Sequence, residues 1–314
     1  MDKQLFINRN YEIRFFAILL GALSLLVIIS FFLGSRVERG GASVPSESAS
    51  KTFPTVALSA KAAYVYDVRT KTVLFAKNEN TRLPLASVTK VMSALVARDA
   101  VPLDDTVTIT SEALQAEGDS GLLRDEKWPL KRLLDFSLLS SSNDGIRAVA
   151  LAAGALSKPG APAEESLNNF VGKMNRKASE LGLKNTYFWN ETGLDESQIK
   201  GGAYGTARDM SILLEYILAN HPDLLTATKE VSRDFRSLGD NSHEAKNTNS
   251  IANEIPGLMA SKTGFTNTAG GNLVIAFDPE LGRPIIVSIL GSTETGRFED
   301  ARALVGATMQ YLNN

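Results

Sequence analysis

The chain has 314 residues, of which 44% are hydrophobic, and its formal net charge at pH 7 is -2. This near-neutral balance, without a stripe of Lys and Arg, argues against nucleic acid as a partner. The absence of cysteine excludes disulfides, thiol nucleophiles and zinc sites with Cys ligands. The composition is ordinary for a globular protein and allows one large domain or two smaller ones.

The first segment along the chain predicts a membrane anchor. Residues 15–34 read FFAILLGALSLLVIISFFLG and carry no charge. As a helix this run would span roughly 30 Å, the thickness of a bilayer core. A cleaved signal peptide is the alternative, but the run is longer than a typical signal-peptide core, and no convincing cleavage site follows it closely. Slightly more positive charge precedes the run than follows it. This bias favours a single-pass protein of the cell membrane, with segment 1–14 on the cytoplasmic side and the rest of the chain outside.

The segment after the anchor predicts a flexible tether. Residues 35–55 are rich in Gly, Ser, Pro and Ala and show no hydrophobic period. Such composition is typical of a loose linker that holds a domain away from the membrane. The folded domain is predicted to occupy residues 56–314.

Strands are predicted at both ends of this domain. Residues 62–68 (AAYVYDV) and 72–78 (TVLFAKN) flank a polar turn and predict a hairpin. A helix around Ser87 and a short strand, DTVTIT, follow. Helical spacing dominates the middle of the chain, in LKRLLDFSLLS, DGIRAVALAAGAL, EESLNNFVGKMNRKASELG and TARDMSILLEYILAN. MASKTGFT, GNLVIAFD and RPIIVSILG then predict strands before a last helix near residues 297–312. We therefore expect an α+β fold, with an antiparallel sheet assembled from both chain ends and covered by helices.

Two familiar catalytic patterns are weak in this sequence. His221 and His243 lack metal-ligand spacing and an apolar setting, which predicts loop residues. The GDSG sequence at residues 118–121 resembles the nucleophile signature of chymotrypsin-like proteases. No all-β pattern surrounds it, so we interpret it as a turn. With histidine disfavoured, a lysine of lowered pKa becomes the candidate that activates a serine.

Such a pair stands at the start of an apolar helix. Ser87 and Lys90 lie in LPLASVTKVMSALVA (residues 83–97), so both fall on one helical face. Desolvation in that setting lowers the pKa of a lysine. The same S-x-x-K pattern recurs at Ser48–Lys51 and Ser197–Lys200, in polar segments. This motif alone therefore does not decide between a catalytic and a structural pair.

Two further motifs follow in a fixed order. LLSSSNDG places Ser141 and Asn143 between two apolar helices, and K-T-G occurs once, at residues 262–264 on a predicted strand. S-x-N also occurs at Ser166–Asn168, so a single triplet proves nothing. The ordered set S-x-x-K, S-x-N, K-T-G, on agreeing element types, is the pattern of penicillin-binding proteins and class A β-lactamases.

With these motifs, the chain from about Ala62 to Leu312 resembles the serine-type D-Ala-D-Ala carboxypeptidases, the low-molecular-weight penicillin-binding proteins of the peptidase S11 family. The likeness rests on LPLASVTK, LLSSSNDG, MNRKASELGLKNTYFWNETGLD, GTARDM, NTN and SKTGFTNTAGG. It implies the β-lactamase/transpeptidase-like fold, hydrolysis of the terminal D-Ala-D-Ala bond of peptidoglycan stem peptides, and covalent inhibition by β-lactam antibiotics. It implies neither a cofactor nor a metal.

The resemblance also assigns the catalytic residues. Ser87 would attack the carbonyl between two D-alanines, and Lys90 would be its base. Ser141 would relay a proton to the leaving amine, and Asn143 would orient the substrate.

The same resemblance assigns the groups that bind the substrate. Lys262 would support the network electrostatically, and Thr263 and Arg208 would hold the terminal carboxylate. Gly264 lets a peptide approach the strand edge closely. The backbone N–H of Phe265 would form the oxyanion hole together with the N–H of the nucleophile.

Three alternatives stay open. A β-lactamase of class A needs a deacylating Glu, and its only look-alike here, EESLN at residues 164–168, is more simply the first turn of a helix. An endopeptidase that cuts cross-links between stem peptides would use the same nucleophile, and the sequence does not separate it from a carboxypeptidase. A catalytically silent wall-binding module is disfavoured by the intact set of motif residues.

Overall fold

A computed structural model describes residues 51–239 and 241–314. The predicted segment 1–14, the predicted anchor at 15–34 and residues 35–50 of the predicted tether lie outside the described residues. Within the described ranges, no helix is both long and apolar enough to cross a bilayer. Residues 51–314 form one compact unit.

The structure contains the predicted strands and helices in the predicted order, together with several short strands that the sequence did not predict. The strands are β1 (Ala62–Asp67), β2 (Thr72–Lys77), β3 (Leu83–Pro84), β4 (Thr106–Thr108), β5 (Lys127–Pro129), β6 (Tyr187–Phe188), β7 (Ala203–Gly205), β8 (Ser232–Arg236), β9 (Ser242–Lys246), β10 (Leu258–Thr266), β11 (Gly270–Phe277) and β12 (Ile285–Ser292). The helices are α1 (Lys90–Ala100), α2 (Leu130–Ser140), α3 (Asn143–Ala155), α4 (Ala163–Glu180), α5 (Ala207–Asn220) and α6 (Gly296–Asn313).

The central element is a five-stranded sheet in the order β10-β11-β12-β1-β2. All four pairings are antiparallel, and β1 from the start of the domain pairs with β12 from its end. The predicted sheet assembled from both chain ends is therefore confirmed. Smaller sheets in the described chain join β3-β7-β6, β4-β5 and β8-β9.

Helices cover both faces of this sheet. On one face, Ile275 and Val287 pack with Leu304 of α6. On the other, Val274 and Ile286 belong to the large core of the helical block. Because both faces are covered, every residue of β12 is buried, and its sequence is a nearly continuous apolar run instead of an alternating one.

The polar sequence around His243 forms a strand, which corrects the predicted loop. β9 pairs with β8, and the two strands bury Phe235 and Ala245 among polar neighbours. The ring of His243 lies 2.9 Å from the carboxylate of Glu126, which also accepts a hydrogen bond from Asn241 at 2.7 Å. These partners let a polar ring be buried, and a search for apolar alternation misses such a strand.

The last residues of the predicted tether also belong to the folded domain. Phe53 packs its ring 5.6 Å from that of Phe75 in β2 and 5.8 Å from that of Tyr311 in α6. Residues 51–55 therefore extend the domain beyond its predicted start at residue 56. An isolated Phe in a segment rich in small polar residues gave no periodic signal of this packing.

Candidate active site

Ser87 and Lys90 meet at the start of α1. Ser87 lies in a 3₁₀ turn, Ala86–Thr89, and the α-helix itself begins at Lys90. The predicted helix thus starts later than expected, but a 3₁₀ turn still stacks residues i and i+3. The Nζ of Lys90 lies 2.7 Å from the Oγ of Ser87. The sequence-predicted pair is therefore in direct contact.

Lys90 is enclosed by the protein, with 0% of the residue exposed. Its Nζ also donates to the carbonyl of Thr192 at 3.1 Å. Burial lowers the pKa of Lys90 from 10.5 to about 7, against an opposing effect of the charge of Glu191. That carboxylate is itself paired with Arg147 at 2.9 Å. A large fraction of the Lys90 amine is consequently neutral near pH 7 and able to accept the proton of Ser87.

Ser141 meets Lys262 across the site. Ser141 ends α2 in the left-handed backbone region, at φ 62°. Its Oγ accepts a hydrogen bond from the Nζ of Lys262 at 2.9 Å, and the same Nζ donates to the carbonyl of Thr263 at 2.9 Å. Burial lowers the pKa of Lys262 well below 10.5, and the charges of Lys90 and Arg297 lower it further. The two lysines therefore belong to one electrostatically coupled site.

Asn143 begins α3 and is held by the GDSG turn. Its Nδ2 donates to the carbonyl of Glu117 at 2.6 Å. Its Oδ1 is buried and has no hydrogen-bond partner among the described residues. The predicted turn is confirmed, since Gly118 and Gly121 have φ of 90° and 79°.

The same turn is attached to the S-x-N motif by a second contact. The Oγ of Ser120 lies 2.6 Å from that of Ser142 and 3.0 Å from a carboxylate oxygen of Asp144. A sequence first considered as a protease signature therefore serves to support residues beside Asn143.

The K-T-G strand, β10, lies at the edge of the sheet next to the nucleophile. A Cβ on Gly264 would lie 2.8 Å from the carbonyl oxygen of Leu85 and 3.1 Å from the backbone N of Ser87. Only glycine permits this approach, so Gly264 brings the strand against the turn of Ser87. Phe265, the next residue, is 42% exposed.

No hydrogen bond or ion pair within the described ranges joins the Arg208 side chain to this strand, so its role at the substrate carboxylate stays a prediction. Arg208 is exposed on the first turn of α5, and its backbone N–H donates to Glu79. Burial raises the pKa of Tyr64, and the nearby charge of Arg208 opposes that effect. Tyr64 lies on β1, three strands away from Lys262 along one row of paired residues. At about 4.8 Å per strand, the backbone positions of Tyr64 and Lys262 are roughly 14 Å apart.

Thr248 is the residue whose side chain contacts that of Thr263 in the K-T-G strand. The two Oγ1 atoms lie 2.6 Å apart. Thr248 belongs to the NTN segment, which carries part of the family resemblance and was the available signal for this residue.

Arg297 is a second residue that sequence reasoning missed. It lies in the first turn of α6, is 8% exposed, and donates from a terminal guanidinium nitrogen to the carbonyl of Gly264 at 2.8 Å. Nothing in the local sequence separates it from Arg302, an exposed arginine of the same helix that pairs with Glu254.

The two histidines contact acidic residues outside the candidate active site. His221 follows α5, with its ring 3.7 Å from Asp99, and His243 contacts Glu126. No hydrogen bond within the described ranges connects either ring to Ser87.

Residues 47–293 match the family model described as Peptidase_S11, D-alanyl-D-alanine carboxypeptidase. The chain is 34% identical over 225 residues to D-alanyl-D-alanine carboxypeptidase DacF of Bacillus subtilis, covering 70% of this chain and 54% of that one. It thus spans about half the length of that relative. It is 33% identical over 262 residues to a D-alanyl-D-alanine endopeptidase of Pseudomonas aeruginosa, covering 80% and 77% of the two chains.

A solved structure with a similar fold is that of penicillin-binding protein D2 from Listeria monocytogenes in its ampicillin-bound form. The TM-score is 0.67 at 26% identity, over 81% of this chain and 99% of that one. The predicted β-lactamase/transpeptidase-like fold is therefore confirmed.

Proposed function

Because this chain belongs to the peptidase S11 family of D-alanyl-D-alanine carboxypeptidases, we propose that it hydrolyses the terminal D-Ala-D-Ala bond of peptidoglycan stem peptides. The reaction proceeds through an acyl-enzyme on Ser87. The observation that carries the proposal is the 2.7 Å contact between Ser87 and a buried Lys90 whose pKa is about 7. An amine that is neutral near pH 7 supplies the base that a serine needs.

The residues divide the reaction into two steps. Lys90 takes the proton of Ser87 as its Oγ attacks the carbonyl between the two D-alanines. The N–H groups of Ser87 and Phe265 stabilise the oxyanion. The C–N bond then breaks as Ser141 passes a proton to the leaving D-alanine amine and receives in exchange the proton that Lys90 took from Ser87, so Lys90 is neutral again; Lys262 supports Ser141 electrostatically. Water hydrolyses the ester in the second step and restores the Ser87 hydroxyl.

The leaving group carries a carboxylate, which requires donors. Thr263 and Thr248 supply two adjacent hydroxyls at the edge strand, and the buried amine of Lys262 lies behind them, where it donates to the carbonyl of Thr263. Asn143 orients the other part of the peptide, from the start of α3. β-Lactams acylate the same serine in place of the peptide.

Acylation is expected to depend on pH through Lys90. Its pKa is lowered to about 7, so the base is protonated and inactive below that pH. The acylation rate with a penicillin should rise about tenfold per pH unit below pH 7 and level off above it. Stopped-flow measurements from pH 5 to 9, with circular dichroism to verify folding, test this. A rate that stays constant through pH 7 would exclude Lys90 as the titrating base.

Substitutions should separate the two candidate carboxylate sites. Thr248→Val removes a hydroxyl with little change in volume and should raise KM for a D-Ala-D-Ala peptide about tenfold, since hydrogen bonds to charged groups contribute about 1.5–3 kcal/mol. Arg208→Ala should change KM less than about twofold, because Arg208 lies by Tyr64. Steady-state kinetics measure KM for both variants. A larger increase in KM for Arg208→Ala than for Thr248→Val would assign the carboxylate site to Arg208.

The specific alternative is a D,D-endopeptidase, supported by similarity to the relative of that name across 77% of its length. One assay distinguishes the activities. The purified protein is incubated with a stem pentapeptide, a cross-linked peptide dimer and a penicillin, and products are identified by mass spectrometry. Free D-alanine supports the carboxypeptidase, monomers released from the dimer support the endopeptidase, and rapid hydrolysis of the penicillin supports a β-lactamase.

The structure offers less support for the β-lactamase. Glu164 and Glu165 lie in the first turn of α4, as expected for a helix start. The carboxylate whose charge acts on Lys90 is that of Glu191, and it is neutralised by Arg147.

The proposal extends to the placement of the domain, which works outside the cell membrane on an anchor at residues 15–34. The charge-free run before the domain and a wall-peptide substrate support this. A reporter fused after residue 49 should be active only when exported. The intact protein should stay in the membrane fraction after a high-salt wash. A soluble form whose N-terminus begins at residue 42 or later would indicate a cleaved signal peptide.

A further inference from the structure

Arg297 is buried although it has no carboxylate partner within 4.0 Å among the described residues. Only 8% of it is exposed, and its Nε has no hydrogen-bond partner in the described chain. The one described hydrogen bond of its guanidinium joins a terminal nitrogen to the carbonyl oxygen of Gly264 at 2.8 Å, and the guanidinium otherwise lies 4.7 Å from the centre of the Phe298 ring. Burying a guanidinium with so few partners is unfavourable. The contact with Gly264 is therefore a candidate for function.

The contact lies on one side of a single peptide unit. The carbonyl of Gly264 and the N–H of Phe265 share that unit, and the carbonyl receives the bond from Arg297. The other side is next to the nucleophile, since a Cβ on Gly264 would lie 3.1 Å from the backbone N of Ser87. Under the proposed function, the N–H of Phe265 and that of Ser87 bind the oxyanion.

We propose that Arg297 is a positioning residue for the oxyanion hole. By donating to the carbonyl of Gly264, it fixes and polarises the Gly264–Phe265 peptide and makes the N–H of Phe265 a stronger donor. Hydrogen bonds in a chain strengthen one another, and a charged donor has a larger effect than a neutral one. The inference rests on the proposed function, because it needs an oxyanion at Ser87.

The expected effect is moderate, since Arg297 acts through another group. Removing one donor of an oxyanion hole slows an enzyme by about 10²–10³-fold, and a neighbouring bond strengthens a donor by roughly 10–30%. If Arg297→Met loses 10–30% of the logarithm of that rate factor, the variant acylates roughly two- to eightfold more slowly than the wild type.

Infrared spectroscopy of the acyl-enzyme provides the decisive measurement. The full-length protein is acylated with a penicillin that carries ¹³C at its β-lactam carbonyl, and the ester band is isolated by subtracting the ¹²C spectrum. Weaker donors polarise this ester less, so the band of Arg297→Met should move to higher wavenumber. Arg302→Met on the same helix is the matched control and should give the wild-type band.

A band of Arg297→Met at the wild-type position would overturn the proposal. If Arg297→Met does not fold, Arg297→Gln replaces the charged donor with a weaker neutral one. The ester band of Arg297→Gln should then move to higher wavenumber by a smaller amount, which tests the same proposal. An unshifted band there would also overturn the proposal. A wild-type protein that forms no acyl ester would instead contradict the proposed function, so the two failures are distinguishable.

Discussion

The Ser87→Ala variant is expected to lose both penicillin acylation and release of D-alanine, by about 10⁶-fold, the loss typical of deleting a catalytic nucleophile. The fold should survive. The Oγ of Ser87 accepts its described hydrogen bond from Lys90, and without it Lys90 still donates to the carbonyl of Thr192. Removing one such contact costs about 1 kcal/mol or less when the remaining group keeps a partner.

Intact mass after incubation with a labelled penicillin measures this prediction, and peptide mapping identifies the modified residue. Ser197→Ala is the matched control, because Ser197 and Lys200 repeat the S-x-x-K pattern in an exposed loop. That variant should acylate at the wild-type rate. An adduct on Ser48, Ser120 or Ser197 in the wild-type protein would show that the nucleophile is misassigned.

The sequence predicted those parts of the site whose signal is local. Ser87 and Lys90 are three residues apart, so a single turn is enough to bring them into contact. Strands β11 and β12 were predicted as well, because burial on both faces requires nearly continuous apolar runs. The contact between Ser141 and Lys262, 121 residues apart, followed only from the family resemblance.

The parts that could not be predicted depend on how distant segments pack. Arg208 and Thr248 both suit a carboxylate, and only the folded structure shows that Thr248 lies beside Thr263 and that the charge of Arg208 acts on Tyr64 in β1. Arg297 has the sequence context of any helical arginine, and its role comes from a contact with Gly264 in another element. Side-chain type and spacing indicate chemistry, but placement across the sheet is determined by tertiary packing.

Lys90→Arg is expected to acylate about 10²–10⁴-fold more slowly than the wild type, the range lost with a general base. Burial lowers the pKa of a lysine to about 7 at this position. An arginine stays protonated in the same surroundings, so it cannot accept the proton of Ser87. It also keeps a positive charge near Lys262, whose pKa responds to the charge at residue 90.

The pH profile distinguishes loss of the base from simple misfit of a larger side chain. Wild-type acylation should rise through pH 7, and the residual rate of Lys90→Arg should lack that rise, because no group titrates at residue 90. Lys200→Arg, in the exposed S-x-x-K copy, controls for the substitution itself. Circular dichroism verifies that Lys90→Arg is folded. Wild-type-like acylation by this variant would rule out Lys90 as the base.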